Sequence, residues 1–262
     1  MFRADLYRAL LNRTLLLALA LGVCSLAYWL TDYDSGLDIP GDHPFNTNAY
    51  DAVLWAERGP FALIVPLLAV IPFADSYVLD RTQGYLRHIL VRCSYKRYLA
   101  SKFLVNLLAG GFAVALPILF LFIFTNIIYP RGLLPIEQSR AVVGGIPDGP
   151  LGFLYRTAPD LYILFLIALG FIFGATYATL GLAISFVAPN RYVVLATPFL
   201  LYHVANFVLA VLGLEVWSPP VTLIPDGVKS TSWLTVFGEL GGIFVFSSVI
   251  ILLLARRDRV NA

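Results

Sequence analysis

Long apolar runs separated by shorter polar segments dominate the pattern of this chain. A helix that crosses a bilayer needs about 20 mostly apolar residues, and six runs meet that requirement. The predicted spans are residues 14–30, 60–79, 103–129, 161–187, 192–214 and 236–255. The fourth and fifth are kept apart by Ala188-Pro189-Asn190-Arg191, a helix-breaking sequence. The pattern predicts an all-α integral membrane protein, with six transmembrane helices in a single transmembrane domain over residues 1–262.

The first 13 residues follow an amphipathic pattern instead. Apolar residues share one helical face and polar residues point elsewhere, namely Phe2, Leu6, Ala9 and Leu10 against Arg3, Asp5, Arg8 and Asn12. This predicts an interfacial helix, residues 1–13, on the inner membrane surface. The alternative is an ordinary basic N-terminus that only sets topology.

Composition strengthens the membrane interpretation. The chain is 59% hydrophobic and only 13% charged, whereas soluble domains carry about 25% charged residues. We expect Cys24 within a span and Cys93 on the cytoplasmic side, so that the two do not form a disulfide.

The distribution of Lys and Arg predicts the orientation. With the N-terminus inside, thirteen of the eighteen Lys and Arg residues fall in cytoplasmic segments and five in outer segments. Cytoplasmic loops carry the excess of positive charge in membrane proteins. Both termini are therefore expected in the cytoplasm, in a multi-pass protein of the cell membrane.

Three predicted outer segments are long: residues 31–59, 130–160 and 215–235. The first is acidic and turn-rich. The last is the most apolar, and it either dips back into the outer leaflet as short helical pieces or forms a plain surface loop.

Catalytic motifs are missing from the sequence. No phosphate-binding G-x-x-x-x-G-K-[ST] motif occurs, because Gly227-Val228-Lys229-Ser230 lacks the spacing and the second glycine. The three histidines lie far apart along the chain, and no metal-ligand spacing or nucleophile elbow is present. We therefore expect no enzymatic activity, and we assign no catalytic, cofactor-binding or metal-binding residue.

Polar residues inside the predicted spans are few. The candidates for a substrate path are Asn106, Thr176, His203, Asn206 and Glu239. Such residues more often form hydrogen bonds across helices or to the backbone. Glu239 is the clearest charge within a span and the basis for an alternative, an ion-coupled carrier.

Small residues repeat at four-residue spacing on two spans. Gly170, Gly174 and Ala178 form one strip, and Gly238 and Gly242 form another. Such strips allow close helix packing, either within this chain or across a dimer.

A basic segment, residues 80–102, lies between the second and third predicted spans and carries six of the eighteen Lys and Arg residues. Within it, Leu86, Ile89, Leu90 and Cys93 form an apolar stripe. A short amphipathic helix of this kind can insert its apolar face into a groove on a partner. The alternative is a basic loop bound to anionic lipid headgroups.

This segment resembles the first cytoplasmic loop of export-type, type-2 ATP-binding-cassette permeases. The residues that carry the resemblance are Asp80-Arg81, Gly84-Tyr85, Ile89-Leu90, Arg92, Ser94, Arg97-Tyr98 and Lys102. Two positions depart from the family pattern, with Asp80 where Glu is commoner and Cys93 where Pro is common.

The resemblance implies a permease subunit that exports a substrate with the energy of ATP hydrolysed by separate ATPase subunits. ATP and Mg would bind those partners, and a second permease subunit, identical or paralogous, would complete the complex in the lipid, with no nucleic acid involved. The expected ATPase-coupling residues are Arg81, Gly84, Tyr85, Leu86, Arg87, Ile89, Leu90, Arg92 and Arg97. The alternative from a different class is a sensor or assembly subunit that uses its long outer loops.

Overall fold

The computed structural model describes residues 2–35, 48–133, 139, 141, 147 and 149–261, except for the side chains of Asp34, Ser35, Arg87 and residues 256–261. The described residues form α-helices and 3-10 helices and no β-strand. The α-helices are α1 (Phe2–Leu10), α2 (Arg13–Ser35), α3 (Ala49–Glu57), α4 (Pro60–Val70), α5 (Ser76–Thr82), α6 (Tyr85–Leu90), α7 (Tyr95–Ile128), α8 (Leu154–Thr157), α9 (Pro159–Val187), α10 (Arg191–Val211) and α11 (Trp233–Asn261). Three 3-10 helices lie at Glu215–Trp217, Pro219–Thr222 and Pro225–Gly227.

Five of these helices are long and apolar enough to cross a membrane: α2, α7, α9, α10 and α11. They correspond to five of the six predicted spans, and the architecture is that of a multi-pass membrane protein. The predicted break between the fourth and fifth spans is present, because Asn190 accepts a hydrogen bond from the Tyr192 amide and caps α10. The largest difference in boundaries is in α7, which begins at Tyr95 rather than at Phe103.

The predicted second span, residues 60–79, is divided between α4 and α5. The chain forms turns over residues 71–75, around Pro72, whose missing N–H interrupts regular helical bonding. With only 11 residues, α4 is too short to cross a bilayer by itself. It is preceded by α3 at a bend of 69°.

Helix α3 is the main feature that the sequence pattern missed, because it lies within the segment expected to be an outer loop. Nearly all of its residues are buried, among them Asp51 and Glu57. Its N-terminus is capped by Asn48, which accepts a hydrogen bond from the Asp51 amide at 2.6 Å. The Asp51 carboxylate in turn accepts hydrogen bonds from the Tyr33 hydroxyl at 3.2 Å and the Ala141 amide at 3.1 Å. A local cap and hydrogen bonds from two distant segments thus allow Asp51 to be buried.

Helices α7 and α9 form the centre of the bundle through an approach of glycine backbones. A methyl group added at Gly110 of α7 would lie 2.8 Å from the Gly174 carbonyl oxygen of α9 and 2.9 Å from the Ala69 carbonyl oxygen of α4. The strip of small residues on the fourth span therefore packs within this chain. The strip on the sixth span does not, because a methyl group at Gly242 would meet no atom within 4 Å.

A proline in α4 creates a link to α10. Pro66 has no N–H, so the Ala62 carbonyl four residues earlier loses its helical partner. The Tyr202 hydroxyl donates a hydrogen bond of 2.8 Å to that carbonyl oxygen. The neighbouring His203 Nε2 lies 3.0 Å from the Leu63 carbonyl oxygen. The Tyr202 hydroxyl thus replaces the helical hydrogen bond that the proline removes.

The bundle has two ends, which we name by their short helices. The α6 end contains α1, α5, α6, residues 188–190 and the end of α11. The α3 end contains α3, α8 and the three 3-10 helices. An ion pair of 2.5 Å joins Arg58, the residue after α3, to Asp226 of the third 3-10 helix. Residues 219–224 are mostly buried there, so the apolar segment 215–235 forms short helical pieces rather than a plain surface loop.

Candidate functional site

The basic segment forms a helix–turn–helix at the α6 end. Helix α5 ends at Thr82 and α6 begins at Tyr85, so the chain turns within Gln83 and Gly84. Gly84 has φ +73°, a conformation that costs glycine nothing and other residues considerably more. The expected short helix does follow this glycine. The rest of the segment, from Tyr95 onwards, is the first two turns of α7.

The apolar stripe of α6 faces the chain's own core. Leu86, Ile89 and Cys93 are half-buried against a cluster that contains Tyr77, Tyr98, Phe186, Ile251 and Ala255. This cluster draws on α5, α7, α9 and α11, and Tyr77 stacks on Phe186 with ring centroids 3.8 Å apart. The stripe thus attaches α6 to four helices, so it is not the surface that a partner would meet first.

The opposite side of α6 is open. Tyr85 is 60% exposed and Val91 is 88% exposed, both unusual for large apolar side chains. The other residues exposed in this segment are Arg81, Thr82, Gln83, Gly84, His88, Arg92, Ser94, Lys96, Arg97 and Ala100. Leu90 is half-buried, and the Arg87 side chain lies outside the described part of the structure. We call Arg81, Tyr85, His88, Val91, Arg92 and Arg97 the α6 face.

A buried group of charges lies directly behind the α6 face. Lys102 is fully buried, and its Nζ atom lies 2.8 Å from Asp80 Oδ2 and 3.4 Å from Asp5 Oδ1. Arg8 pairs with the other oxygen of Asp80 at 2.8 Å. The hydroxyl of Tyr98 donates a hydrogen bond to Asp80 at 3.0 Å, and that of Ser101 donates one to Asp5 at 2.6 Å. This charge network joins α1, α5 and α7.

The network is electrostatically complementary. Burial alone would raise the pKa of the Asp80 carboxyl, but Lys102 and Arg8 lower it, and the net result is a pKa below the ordinary value. The Lys102 ammonium also lies 4.8 Å from the centre of the Phe73 ring, within range of a cation–π interaction. Asp80 is therefore ionised at neutral pH and is held between two cations.

Helix α1 contributes to this network through a residue that the sequence pattern assigned elsewhere. Asp5 was expected on the polar side of an interfacial helix, but it is buried against α7, as is Ala9. Tyr7 and Leu11, by contrast, are 67% and 74% exposed. The amphipathic helix is present, but the side that faces the bundle contains Asp5. This acid can be buried because Lys102 lies close enough to form an ion pair with it.

A second ion pair ties the start of α10 to the same end. Arg191 Nη2 lies 3.2 Å from Asp75 Oδ2. Asp75 lies in the turn between α4 and α5, so the break after α9 is linked to the same element that leads into α6. Motion of α5 would consequently act on α1, α7 and α10.

The five candidates for a substrate path do not form one group. Asn106, buried in α7, has no hydrogen-bond partner for its amide oxygen or nitrogen. Thr176 is buried and donates to the Ile172 carbonyl oxygen within its own helix, as packing residues do. His203 and Asn206 lie on one side of α10, and Asn206 accepts a hydrogen bond from Ser218.

Glu239 of α11 lies within electrostatic range of Tyr177 and Tyr202. Tyr202 also stands edge-on to His203, with ring centroids 5.1 Å apart. Sequence reasoning did not single out the two tyrosines. A sequence feature that could have identified them is that each tyrosine directly adjoins a polar candidate on the same span, Thr176 or His203.

Within the described residues, no group of three or more His, Cys, Asp and Glu side chains is arranged to hold a metal ion. Comparison with known proteins gives no assignment, because no protein-family model, curated protein or solved structure matches this chain.

Proposed function

We propose that this chain is a permease subunit of an export-type ATP-binding-cassette transporter, driven by a separate ATPase subunit that binds the α6 face. The observation that carries the proposal is the combination of Tyr85 and Val91, two exposed apolar side chains, with Arg81, Arg92 and Arg97 beside them. An exposed apolar patch rimmed by charge is typical of a protein–protein contact.

The attachment of α6 suits it to transmit force. Its apolar stripe packs on four helices, and the charge network behind it joins α1, α5 and α7. A push on the α6 face would therefore move these helices together as a rigid body, which is a common form of conformational change. ATP and Mg would bind the ATPase, whose closure would supply the push.

The proposal includes an orientation and a span count. The α6 end would face the cytoplasm, since thirteen of the eighteen Lys and Arg residues lie in the segments assigned to that side. Residues 60–79, which comprise α4, the turn at Pro72 and the first half of α5, would form the second of six spans. Both termini would be cytoplasmic, in the cell membrane.

A second permease subunit is also part of the proposal. Helices α2, α10 and α11 present large exposed apolar side chains along their length, among them Leu16, Phe207 and Phe246. These faces suit contact with lipid or with another permease subunit.

The test is co-purification with an ATPase encoded in an adjacent reading frame. We expect Tyr85→Asp with Val91→Asp to abolish assembly and ATP turnover without lowering the unfolding temperature, because both side chains are exposed. The matched variant is Leu86→Ala, which should lower the unfolding temperature while leaving assembly of the folded protein intact.

Two results would count against the proposal. Unchanged assembly and ATP turnover in the Tyr85→Asp, Val91→Asp variant would remove the coupling role of the α6 face. Absence of any ATPase partner would favour a sensor or assembly subunit instead.

A further inference from the structure

A groove lies between α7 and α11 at the α6 end of the bundle. Both helices pack on α9, and the cavity between them has a volume of about 490 Å³. A water molecule takes up about 30 Å³ in the liquid, so the groove is large enough for part of a lipid. The residues that line it are Tyr95, Lys96, Leu99, Ala100 and Phe103 on α7 and Ser248, Ile251, Leu252 and Ala255 on α11.

The lining of the groove is mostly apolar, and the groove is open along one side. Leu252 is 57% exposed, and Ala100 on the opposite wall is also exposed. Val249 and Leu253, which neighbour Leu252 on α11, are 46% and 59% exposed. On a helix that is long and apolar enough to cross a membrane, such a surface suits contact with lipid. The groove therefore opens towards acyl chains rather than towards water.

One end of the groove carries a positive charge. Lys96 lies in the first turn of α7 and is exposed, and unlike Lys102 it forms no ion pair within the described residues. Helix α7 has 34 residues and is therefore about 50 Å long, whereas the hydrocarbon core of a bilayer is about 30 Å thick. The first turn of α7 thus suits the depth of the lipid headgroups, and Phe103, two turns further on, suits the hydrocarbon.

From this arrangement we infer that the groove binds an anionic phospholipid of the surrounding membrane, with its phosphate at Lys96 and an acyl chain between α7 and α11. Basic pockets between transmembrane helices recognise anionic headgroups in this way. The acyl chain gives the apolar walls the contacts that an unfilled groove would lack. A small hydrated anion suits the lysine but not these walls, and a zwitterionic lipid has no net charge to complement the lysine.

The bound lipid would also act on the packing of α6. Ile251 and Ala255 line the groove, and both belong to the apolar cluster on which Leu86 and Ile89 of α6 pack. The lipid would therefore support this cluster from the side opposite α6. The inference goes beyond the proposed function, and the binding itself does not depend on that function.

The test uses the purified full-length chain in phosphatidylcholine nanodiscs that contain a small fraction of phosphatidylglycerol with a photoreactive acyl chain. We expect saturable labelling of residues 99–103 and 248–252, located by mass spectrometry of the digested chain. Lys96→Gln should lower this labelling about fivefold, the effect of removing one lysine charge beside an anionic headgroup. Ala100→Phe should abolish it, because the added ring would fill the groove.

Each variant has a matched control. Lys96→Arg keeps the charge and should retain the labelling, whereas Arg13→Gln removes another exposed charge at the α6 end and should leave the labelling unchanged. Ala196→Phe adds the same ring at the sixth residue of α10, an exposed position outside the groove, just as Ala100 is the sixth residue of α7. This control should retain the labelling, and its unfolding temperature should match that of Ala100→Phe.

Three results would overturn the inference. The first is equal labelling of the groove by photoreactive phosphatidylglycerol and photoreactive phosphatidylcholine, and the second is labelling that survives both Lys96→Gln and Ala100→Phe. The third is a wild-type dimer without lipid labelling that Ala100→Phe dissociates, which would show that a second copy of the chain covers the groove.

The proposed function fails in a different experiment, the assembly with an ATPase. If assembly holds, phosphatidylglycerol should raise ATP turnover of the complex, and Ala100→Phe should suppress that increase while Ala196→Phe should not.

Discussion

Lys102 and Asp80 form an ion pair of 2.8 Å in which each side chain is only 1% exposed. They come from the two ends of the basic segment, so the pair closes that segment into a loop above the bundle. A buried pair of this kind contributes little net stability when complete, but the loss of one partner leaves the other charge uncompensated. Here the pair links α5 to α7, the two helices between which α6 lies in the chain.

The first prediction follows from the burial of this pair. Lys102→Met should lower the free energy of unfolding by about 3 kcal/mol, because Asp80 and Asp5 would then be buried with Arg8 as the main remaining cation. Thermal unfolding in detergent measures the effect. Lys96→Met, at an exposed position of the same helix, is the control, and equal effects of the two variants would contradict the prediction.

The second prediction concerns pH. The pKa of Asp80 is lower in the folded chain than its ordinary value of about 3.9. The ionised carboxyl therefore adds stability that is fully present above that ordinary value and is lost as the pH falls through the folded-state pKa. The difference in unfolding free energy between wild type and Asp80→Asn should be constant near neutral pH and shrink below about pH 4. A difference that grows on acidification would contradict this sign.

The third prediction tests the contact between α7 and α9. Gly174→Ala should destabilise the chain by about 1–3 kcal/mol, because the added methyl group would meet the Gly110 backbone, which cannot move aside without shifting a helix. Gly241→Ala, on α11, is the matched control because a methyl group there meets no atom within 4 Å. That control should be neutral or slightly stabilising, since alanine favours helix more than glycine does.

The sequence predicted the helices better than the directions in which they face. Span positions follow from the length of apolar runs, a local property, and five of the six correspond to long apolar helices. The stripe of Leu86 and Ile89 was correctly recognised as apolar, but an apolar stripe does not reveal whether its groove belongs to a partner or to the same chain. The structure shows that it packs on the chain's own core.

Ion pairs and hydrogen bonds between residues that are far apart in the sequence also could not be predicted from the sequence. Asp5 looked like a solvent-facing acid because its partner, Lys102, is distant in sequence and looked like a loop residue. Helix α3 was missed for a similar reason, since the burial of Asp51 depends on Tyr33 and Ala141 from other segments. Glu239 was identified from sequence as an intramembrane acid, but its tyrosine neighbours required the packing of three helices.

The fourth prediction concerns the link between Pro66 and Tyr202. Tyr202→Phe should cost about 1 kcal/mol, because the Ala62 carbonyl oxygen would lose its hydrogen bond. In a Pro66→Ala background the new amide can bond to that carbonyl, so Tyr202→Phe should then cost less. A double-mutant cycle on unfolding free energy measures this coupling. Additive effects of the two substitutions would show that the hydroxyl does not replace the missing helical bond.

The fifth prediction concerns orientation, on which the proposed coupling to a cytoplasmic ATPase depends. Cys24 and Cys93 are the two cysteines of the sequence, so replacing both with Ser gives a background for single-cysteine labelling in intact cells. Lys229→Cys, exposed at the α3 end, should react with a membrane-impermeant maleimide added outside. Ser94→Cys, exposed next to α6, should react only after the membrane is permeabilised. The opposite pattern would put the α6 face outside the cell, where no ATPase could reach it, and would remove the proposed function together with the orientation.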